Sequence, residues 1–301
     1  MAAIGRMLPT IEEFIGYLQH ERKRSANTLA AYRTDLTQFE EFVRSHGETG
    51  WDMPSATVQA FVHDLVSRAY EASSQARKLA AVKSFYRWLV GRGAVLSDPA
   101  ADIGGAPVRK RRPTVLSTTQ VERLLEQAAI DQAPERRRDL AMLETLYASG
   151  IRASELVALD VDDFRASGKV LRVGRRGPRE RAITLSDRAG RALLAYLELA
   201  RPNLLRRRDE FSMFLNHRGN RLTRQGFWLI VKGYARLADI RVPITPHTLR
   251  HSFATHRMRA EGDVREVQRL LGHASIATTR IYADLARKQR VDDDPAAHAR
   301  A

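Results

Sequence analysis

The stretch Thr245–Arg250, TPHTLR, predicts the start of a helix that carries two side chains able to hold an anion. Thr245 is a favoured N-cap residue, and Pro246 suits the first helical position, where a backbone N–H would have no partner. His247 then lies in the first turn, where unpaired N–H groups and the helix dipole favour a negative charge. Arg250 follows three residues later and shares a helix face with His247. Because its planar guanidinium can donate to two phosphate oxygens, the stretch indicates a phosphate site.

A second run, Leu271-Gly272-His273 followed by Tyr282, adds another His and a candidate nucleophile. A phenol has a pKa near ~10, so its attack on phosphorus needs a proton acceptor and donors that stabilise the added negative charge. A His followed three residues later by a basic residue is not specific by itself, since it recurs at residues 256–259 and 20–23. The order of the runs therefore carries the prediction.

Three runs resemble the motifs of the tyrosine recombinases and occur in the family order. They are Thr145–Leu156 (TLYASGIRASEL), Pro246–His256 (PHTLRHSFATH) and Leu271–Tyr282 (LGHASIATTRIY). The resemblance spans nearly the whole chain and is closest to the Xer branch, on the XerD side more than the XerC side. The last residues, His298–Ala301 (HARA), are also similar to the His-Pro-Arg-Ala ending of Xer proteins. That ending implies a segment that is buried in a neighbouring subunit of an assembly.

The resemblance implies a site-specific recombinase that cuts DNA through a 3′-phosphotyrosyl intermediate and rejoins it to a partner strand. It also implies the catalytic residues, which are Arg152, His247, Arg250, His273 and the nucleophile Tyr282. The two arginines can stabilise charge on the non-bridging phosphate oxygens. His247 can take the tyrosine proton or hold the phosphate, and His273 can donate a further hydrogen bond. No cofactor and no metal is expected.

The run Gly174–Arg181 (GRRGPRER) departs from the Xer pattern, which has a Lys in a Gly-Lys-Gly-like turn before a Lys-Glu-Arg-like run. Aligning on Glu180-Arg181 puts Arg176 at the position of that Lys. Lys can lend a proton to the leaving 5′ oxygen, whereas Arg, with a pKa above about 12, stabilises charge but is a poor proton donor. Either Arg176 acts electrostatically, or catalysis is slower, or the register differs.

The composition favours a polyanionic partner. The 301 residues include 50 Lys+Arg against 35 Asp+Glu, a formal net charge of +15. Such an excess suits nucleic acid. The chain has no Cys, which excludes disulfides, a thiolate nucleophile and Cys-ligated zinc and fits a reducing cytosol. No apolar signal core begins the chain, so neither secretion by a signal peptide nor a membrane span is expected. We therefore expect a cytoplasmic, nucleoid-associated protein.

The pattern predicts a mainly α fold in two domains. Residues 1–98 form an N-terminal helical bundle, SAM-like and core-DNA-binding by resemblance, and residues 99–113 a basic Gly- and Pro-containing linker. Residues 114–301 form an α-rich catalytic domain with a small antiparallel β-sheet or hairpin, ending in a polar tail from Arg287. Predicted helix signals include a cap at Ser25, a helix over 139–147 and glycine stops at residues 150, 262 and 272.

DNA contacts are expected from two places. Arg77, Lys78 and Lys83 lie off the apolar stripe of the fourth helix, in a domain that resembles a clamp over one side of the duplex. The linker supplies a second basic group that suits a strap along phosphates, namely Arg109, Lys110, Arg111 and Arg112.

The resemblance implies a double-stranded DNA recombination site and a tetramer formed with itself or a sister recombinase, together with a DNA translocase. It implies resolution of chromosome dimers at cell division. A close alternative is an integrase of a phage, plasmid or transposon with the same chemistry. Further alternatives are a DNA-binding protein that has lost catalysis, supported only by Arg176, and a type IB topoisomerase-like nicking enzyme.

Overall fold

The computed structural model describes residues 7–105, 113–175 and 180–292, with side chains for 10–105, 113–175 and 180–287. The chain divides into two compact units after Arg111, inside the segment 99–113. Several residues that the sequence singles out lie outside the described ones: Arg109, Lys110, Arg111, Arg112, Arg176 and the ending His298–Ala301.

The N-terminal unit is a bundle of helices, as predicted. Its described helices are α1 (Met7–His20), α2 (Ala26–Ser45), α3 (Ser55–Ser67) and α4 (Ala72–Gly91). Ser25 caps α2 by accepting from the Thr28 N–H at 3.2 Å. The apolar stripes meet in an aromatic core in which the rings of Phe39 and Phe61 lie 4.9 Å apart. This core excludes water from the centre of the bundle and fixes the four helices.

Lys78 corrects the sequence-based placement of the α4 cations, because it is buried (4% exposed) rather than off the apolar stripe. Its Nζ donates to Asp35 Oδ1 at 3.1 Å and to the side-chain oxygen of Gln38. Arg77, one residue earlier, also pairs with Asp35 but keeps an exposed side chain. The buried carboxylate of α2 draws Lys78 inward, and this partner lies more than 40 residues away in sequence.

The second unit is α-rich and contains a three-stranded antiparallel sheet, in which β1 (Phe164–Arg165), β2 (Val170–Val173) and β3 (Arg181–Thr184) are neighbours in that order. Val170 faces Thr184 and Val173 faces Arg181 across the β2–β3 pair. Its described elements are α5 (Thr118–Ala129), α6 (Pro134–Ser149), α7 (Ala153–Ala158), a 3₁₀ turn (Val161–Asp163), β1 (Phe164–Arg165), β2 (Val170–Val173), β3 (Arg181–Thr184), α8 (Asp187–Ala195), a π-helical segment (Tyr196–Ala200), α9 (Arg201–Leu204), α10 (Arg224–Leu237), α11 (Pro246–Glu261), α12 (Val264–Leu271) and α13 (Ile276–Asp292).

Two helix boundaries differ from the sequence-based expectation, and one short strand was not expected. Helix α6 begins at Pro134, not at residue 139, because proline is accepted at the first helical position. Strand β1 has only two residues and forms by pairing with β2. Helix α13 continues through Arg287 to Asp292 although those turns carry no apolar face. Extending a helix costs less than starting one, so the buried turn around Tyr282 sustains the polar turns beyond it.

Two glycines at helix ends allow α6, α11 and α12 to pack closely together. Gly150 ends α6 at φ 61°, and a Cβ there would lie 2.1 Å from the ring of Phe253 in α11. Gly272 ends α12 at φ 61°, and a Cβ there would lie 3.0 Å from the guanidinium of Arg181. Both positions need a left-handed backbone and close approach, which only glycine allows without strain.

Candidate active site

The start of α11 has the geometry that its sequence predicts. Thr245 Oγ1 accepts from the Thr248 N–H at 3.2 Å, and the Thr248 hydroxyl accepts from the Thr245 N–H at 3.1 Å. Pro246 occupies the first helical position. His247 is exposed in the first turn, whereas Arg250 is only 4% exposed. The helix therefore presents one basic side chain to solvent and holds the other inside the domain.

The C-terminal end of α12 gathers three arginines on three successive carbonyl oxygens. Arg181 Nε donates to Leu270 O at 2.7 Å, and a terminal guanidinium nitrogen of Arg250 donates to Leu271 O at 2.8 Å. A terminal nitrogen of Arg152 donates to Gly272 O at 3.1 Å. Helix carbonyls at this end lack intrahelical partners and carry the negative end of the dipole, so they attract cations. The carbonyl oxygens at the end of α12 therefore hold the three guanidinium groups next to one another.

Arg250 is a buried cation whose direct partners are all neutral. Its Nη1 donates to Gly150 O, and Nη2, which donates to Leu271 O, also lies 3.1 Å from His273 Nε2. Burial, reinforced by the charge of Arg152, lowers the pKa of Arg250 to about 10. The group remains charged at neutral pH and has no carboxylate of its own, so a bound anion would be stabilised here.

Arg152 and Arg181 share one carboxylate, that of Glu155. Arg181 donates to both Glu155 oxygens at 3.0 Å, and Arg152 donates to Oε1 at 3.1 Å and, through its backbone N–H, to Oε2 at 2.7 Å. Burial alone would raise the pKa of Glu155, but these hydrogen bonds and charges outweigh it and hold the pKa below its usual value. The carboxylate fixes Arg152 while leaving its side chain partly exposed.

Sequence reasoning missed this role of Glu155 and Arg181. Only the spacing of Arg152 and Glu155 was readable, because an acid at the third helical position often bonds the N-cap N–H. Nothing in the sequence pairs Glu155 with Arg181, which lies 26 residues later on β3.

His273 is oriented by two contacts. Its Nε2 faces the Arg250 donor, so Nε2 is the acceptor, and its Nδ1 lies 2.9 Å from Thr279 Oγ1. Burial first, then the charges of Arg250 and Arg152, lowers the pKa of His273 to about 4. The ring is therefore neutral at pH 7, with its proton assigned to Nδ1 by this network.

The hydroxyl of Tyr282 is held by His251, a residue that the sequence analysis did not assign to the site. Tyr282 Oη lies 2.8 Å from His251 Nδ1, and Tyr282 is 4% exposed. Burial raises the pKa of Tyr282 although Arg250 and Arg152 act in the opposite direction. Burial, with the charges of His247 and Arg250, lowers the pKa of His251 to about 4. The only sequence signal was the position of His251 beside Arg250 in the second motif.

His247 does not contact the tyrosine hydroxyl in the structure. Its ring lies 6.3 Å from that of His251, centroid to centroid. Partial desolvation, then the charges of Arg250, Arg224 and Arg152, lowers its pKa. His247 is therefore a neutral, exposed imidazole at the helix start, placed to meet a ligand from solvent.

The structure thus brings together Arg152, Arg250, His273 and Tyr282, with His247 at the rim. Two guanidinium groups and neutral imidazoles beside a buried phenol can bind a phosphate and stabilise charge that develops during attack on it. Within the described residues no cluster of three or more His, Asp or Glu side chains could hold a metal ion. None of the described helices is long and apolar enough to cross a bilayer.

Both domains match known sequence families. Residues 114–289 match the model of the Phage integrase family, and residues 11–93 match that of the Phage integrase N-terminal SAM-like domain. The tyrosine recombinase XerC of Herpetosiphon aurantiacus is 44% identical over 292 residues, which cover 97% of this chain and 95% of the relative. This chain belongs to the Xer tyrosine recombinases. The expected fold class, with a SAM-like helical domain and a catalytic domain with a small sheet, is confirmed.

Other relatives place the recombinase within the family. The tyrosine recombinase XerD of Listeria monocytogenes serotype 4b is 41% identical over 295 residues, 97% of this chain and 99% of the relative. The expectation of a closer likeness to XerD is not confirmed, since XerC of Herpetosiphon has the slightly higher identity. The fold is similar to XerH site-specific recombinase bound to palindromic difH substrate as a post-cleavage complex. The TM-score is 0.75 at 20% identity, covering 94% of this chain and 82% of that one.

Proposed function

We propose that this Xer recombinase cuts DNA with Tyr282 as the nucleophile, while Arg152 and Arg250 hold the scissile phosphate. What supports the assignment is the convergence of α11, α12 and α13 around one phenol. Arg250 and Arg152 donate to neighbouring carbonyls at the end of α12, and Tyr282 stacks beside His273 with ring centroids 6.2 Å apart. Two forks of donors offset the negative charge that forms on phosphorus as Tyr282 attacks.

The two histidines complete the phosphate site in this proposal. His247 stands at a helix N-terminus, where an anion gains from the unpaired N–H groups, and it holds the phosphate there. His273, whose Nε2 faces Arg250, donates to the phosphate after its proton moves from Nδ1 to Nε2. Arg176, at the position of the family Lys, stabilises charge on the leaving 5′ oxygen.

The partner is a double-stranded DNA recombination site, on which the recombinase assembles as a tetramer with itself or a sister recombinase. XerH, which is bound to its difH substrate, has the same fold. The biological role that we propose is resolution of chromosome dimers at cell division, with a DNA translocase. Arg77 and Lys83, together with Arg109, Lys110, Arg111 and Arg112, contact phosphates. Binding then weakens with salt, by about 0.9 in log K per log salt for each contact.

The branch within the Xer family is proposed from the identities to the two kinds of relative. The higher identity to XerC favours an XerC-like position in the sequence of exchanges. Substrates nicked on one strand or the other, mixed with this recombinase alone, report which half-site it cleaves.

The test of the proposed chemistry is a nicked suicide substrate resolved on a denaturing gel. Tyr282→Phe keeps the ring, so it binds DNA as the unmodified protein does, but it forms no covalent adduct. Tyr147→Phe is the matched control, since Tyr147 also bonds a His on α11, and it forms the adduct. A persistent adduct with Tyr282→Phe would remove Tyr282 from the nucleophile role.

A further inference from the structure

Helix α11 carries two histidines that each hold a tyrosine hydroxyl. His251 Nδ1 lies 2.8 Å from Tyr282 Oη, and His256 Nδ1 lies 2.9 Å from Tyr147 Oη. The two pairs have the same atoms and nearly the same distance. They differ in their surroundings, because only Tyr282 lies beside Arg250 and His273.

The direction of the His251 bond follows from the charges around it. The groups that face His251 are His247 on its own helix, the adjacent Arg250, and Tyr282 and His273 across from it. Arg250 adds positive charge and His247 competes for the proton, so both disfavour protonation of His251, and its ring is neutral. A neutral imidazole with its proton on Nε2 leaves Nδ1 as an acceptor. The tyrosine O–H therefore donates to Nδ1.

His247, which the sequence predicts either takes the tyrosine proton or holds the phosphate, makes no hydrogen bond to Tyr282 among the described residues, and its ring centroid lies 6.3 Å from that of His251. A general base must lie within hydrogen-bond reach of the proton that it removes. Among the described residues, His251 meets that condition at 2.8 Å.

We propose that His251 orients the hydroxyl of Tyr282 and accepts its proton during DNA cleavage. The inference rests on the proposed role of Tyr282. In the step, a bond forms between Tyr282 Oη and phosphorus, and the bond from phosphorus to the 5′ oxygen breaks. The phenol proton moves to His251 Nδ1, and the 5′ oxygen leaves as a hydroxyl after taking a proton from solvent. In the rejoining step the same proton returns from His251 to Tyr282.

The bound phosphate makes this transfer more favourable than it is in the empty site. A phosphate held by Arg152 and Arg250 brings negative charge beside His251 and offsets the charge of Arg250, which opposes protonation of His251. His251 thus becomes more basic when DNA is present. This coupling keeps Tyr282 protonated, buried and unreactive until a phosphate is bound.

The test compares His251→Asn with His256→Asn in single-turnover cleavage of a nicked suicide substrate. Asn keeps an acceptor near the position of Nδ1 but takes no proton. We expect His251→Asn to bind DNA normally and to cleave about 10²–10⁴-fold more slowly, the usual range for a lost proton-transfer group. His256→Asn, five residues along the same helix, stays within a few-fold of the unmodified protein.

Three readouts separate proton acceptance from a merely structural role. Replacing Tyr282 with the more acidic 3-fluorotyrosine restores much of the rate of His251→Asn, because that phenol needs less help to lose its proton. A 5′-bridging sulfur, which improves the leaving group, does not restore it. In His251→Gly, added imidazole raises the cleavage rate in proportion to its concentration.

Cleavage by His251→Asn at the rate of His256→Asn would overturn the proposal. So would full restoration by the 5′ sulfur, which would move the defect to the leaving group, or no response of His251→Gly to imidazole while DNA binding persists. An adduct formed by Tyr282→Phe would instead overturn the nucleophile assignment, so the two failures are distinguishable.

Discussion

The two domains each bury a cation, and they treat it in opposite ways. Lys78 of the N-terminal domain is 4% exposed and bonds the carboxylate of Asp35. Arg250 of the catalytic domain is equally buried, but its direct partners are two carbonyl oxygens and an imidazole. A buried cation that is paired with a carboxylate stabilises the fold, whereas a buried cation without a carboxylate partner can bind an anionic ligand. The absence of a carboxylate partner therefore distinguishes Arg250, in the proposed active site, from Lys78 in the helical bundle.

Removing Arg250 gives the largest effect on activity that the comparison predicts. Arg250→Ala should slow single-turnover cleavage by about 10²–10³-fold or more, as for other lost donors to a developing charge. Its free energy of unfolding should change less than that of Asp35→Asn, because no ion pair is broken. Cleavage rates on the suicide substrate and urea melts measure the two effects. Cleavage by Arg250→Ala at the rate of the unmodified protein would show that Arg250 does not stabilise the reacting phosphate.

Removing the carboxylate in the N-terminal domain gives the largest effect on stability. Asp35→Asn leaves Lys78 buried without an anion, and breaking such a pair costs about 3–5 kcal/mol. The unfolding midpoint of this domain should fall markedly, while the chemical step on bound DNA is unchanged. Gln38→Leu, which removes only the neutral partner of Lys78, serves as the control. An unchanged unfolding midpoint in Asp35→Asn would show that the ion pair of Lys78 with Asp35 does not stabilise the domain.

A smaller effect on the cleavage rate is expected when Arg181, the partner of Glu155, is replaced. Arg181→Met removes the donor to Leu270 O and both bonds to Glu155, so Arg152 is less well fixed. Cleavage should slow by about tenfold, as expected for a residue that only positions another, with DNA affinity unchanged. Arg188→Met, which loses a pair with Glu144 elsewhere in this domain, is the control. If the two variants cleave equally fast, the Glu155 bridge is structural only.

The smallest change in cleavage rate is predicted for the conservative substitution Arg176→Lys. Arg176→Lys should keep or raise the cleavage rate, because Lys supplies both charge and a transferable proton. Arg176→Ala should slow it by about ten- to a thousand-fold. Cleavage of ordinary DNA by Arg176→Ala at the unmodified rate would show that Arg176 is a surface residue of the hairpin.

The sequence predicted the helix ends, because these depend on residues that are neighbours along the chain. The cap at Thr245, the proline after it and the glycines at residues 150 and 272 each act within one helix turn, so their patterns were readable. The motif order then predicted which of the site residues come together around Tyr282.

Contacts between distant segments could not be read in the same way. Lys78 is buried by a carboxylate on another helix, strand β1 exists only by pairing with β2, and Arg181 reaches Glu155 across 26 residues. The His251–Tyr282 bond depends on how α11 packs against α13. Periodicity and spacing carry no information about such packing.

Mass spectrometry of the covalent adduct tests most directly whether the phenol of Tyr282 becomes bonded to the cut DNA. The recombinase is trapped on a nicked suicide substrate, digested with trypsin, and the DNA-linked peptide is sequenced. Cleavage after Arg280 and Arg287 yields the peptide IYADLAR, in which Tyr282 is the one tyrosine. We expect this peptide to carry the 3′-phosphate. DNA attached to a peptide that lacks Tyr282 would contradict it.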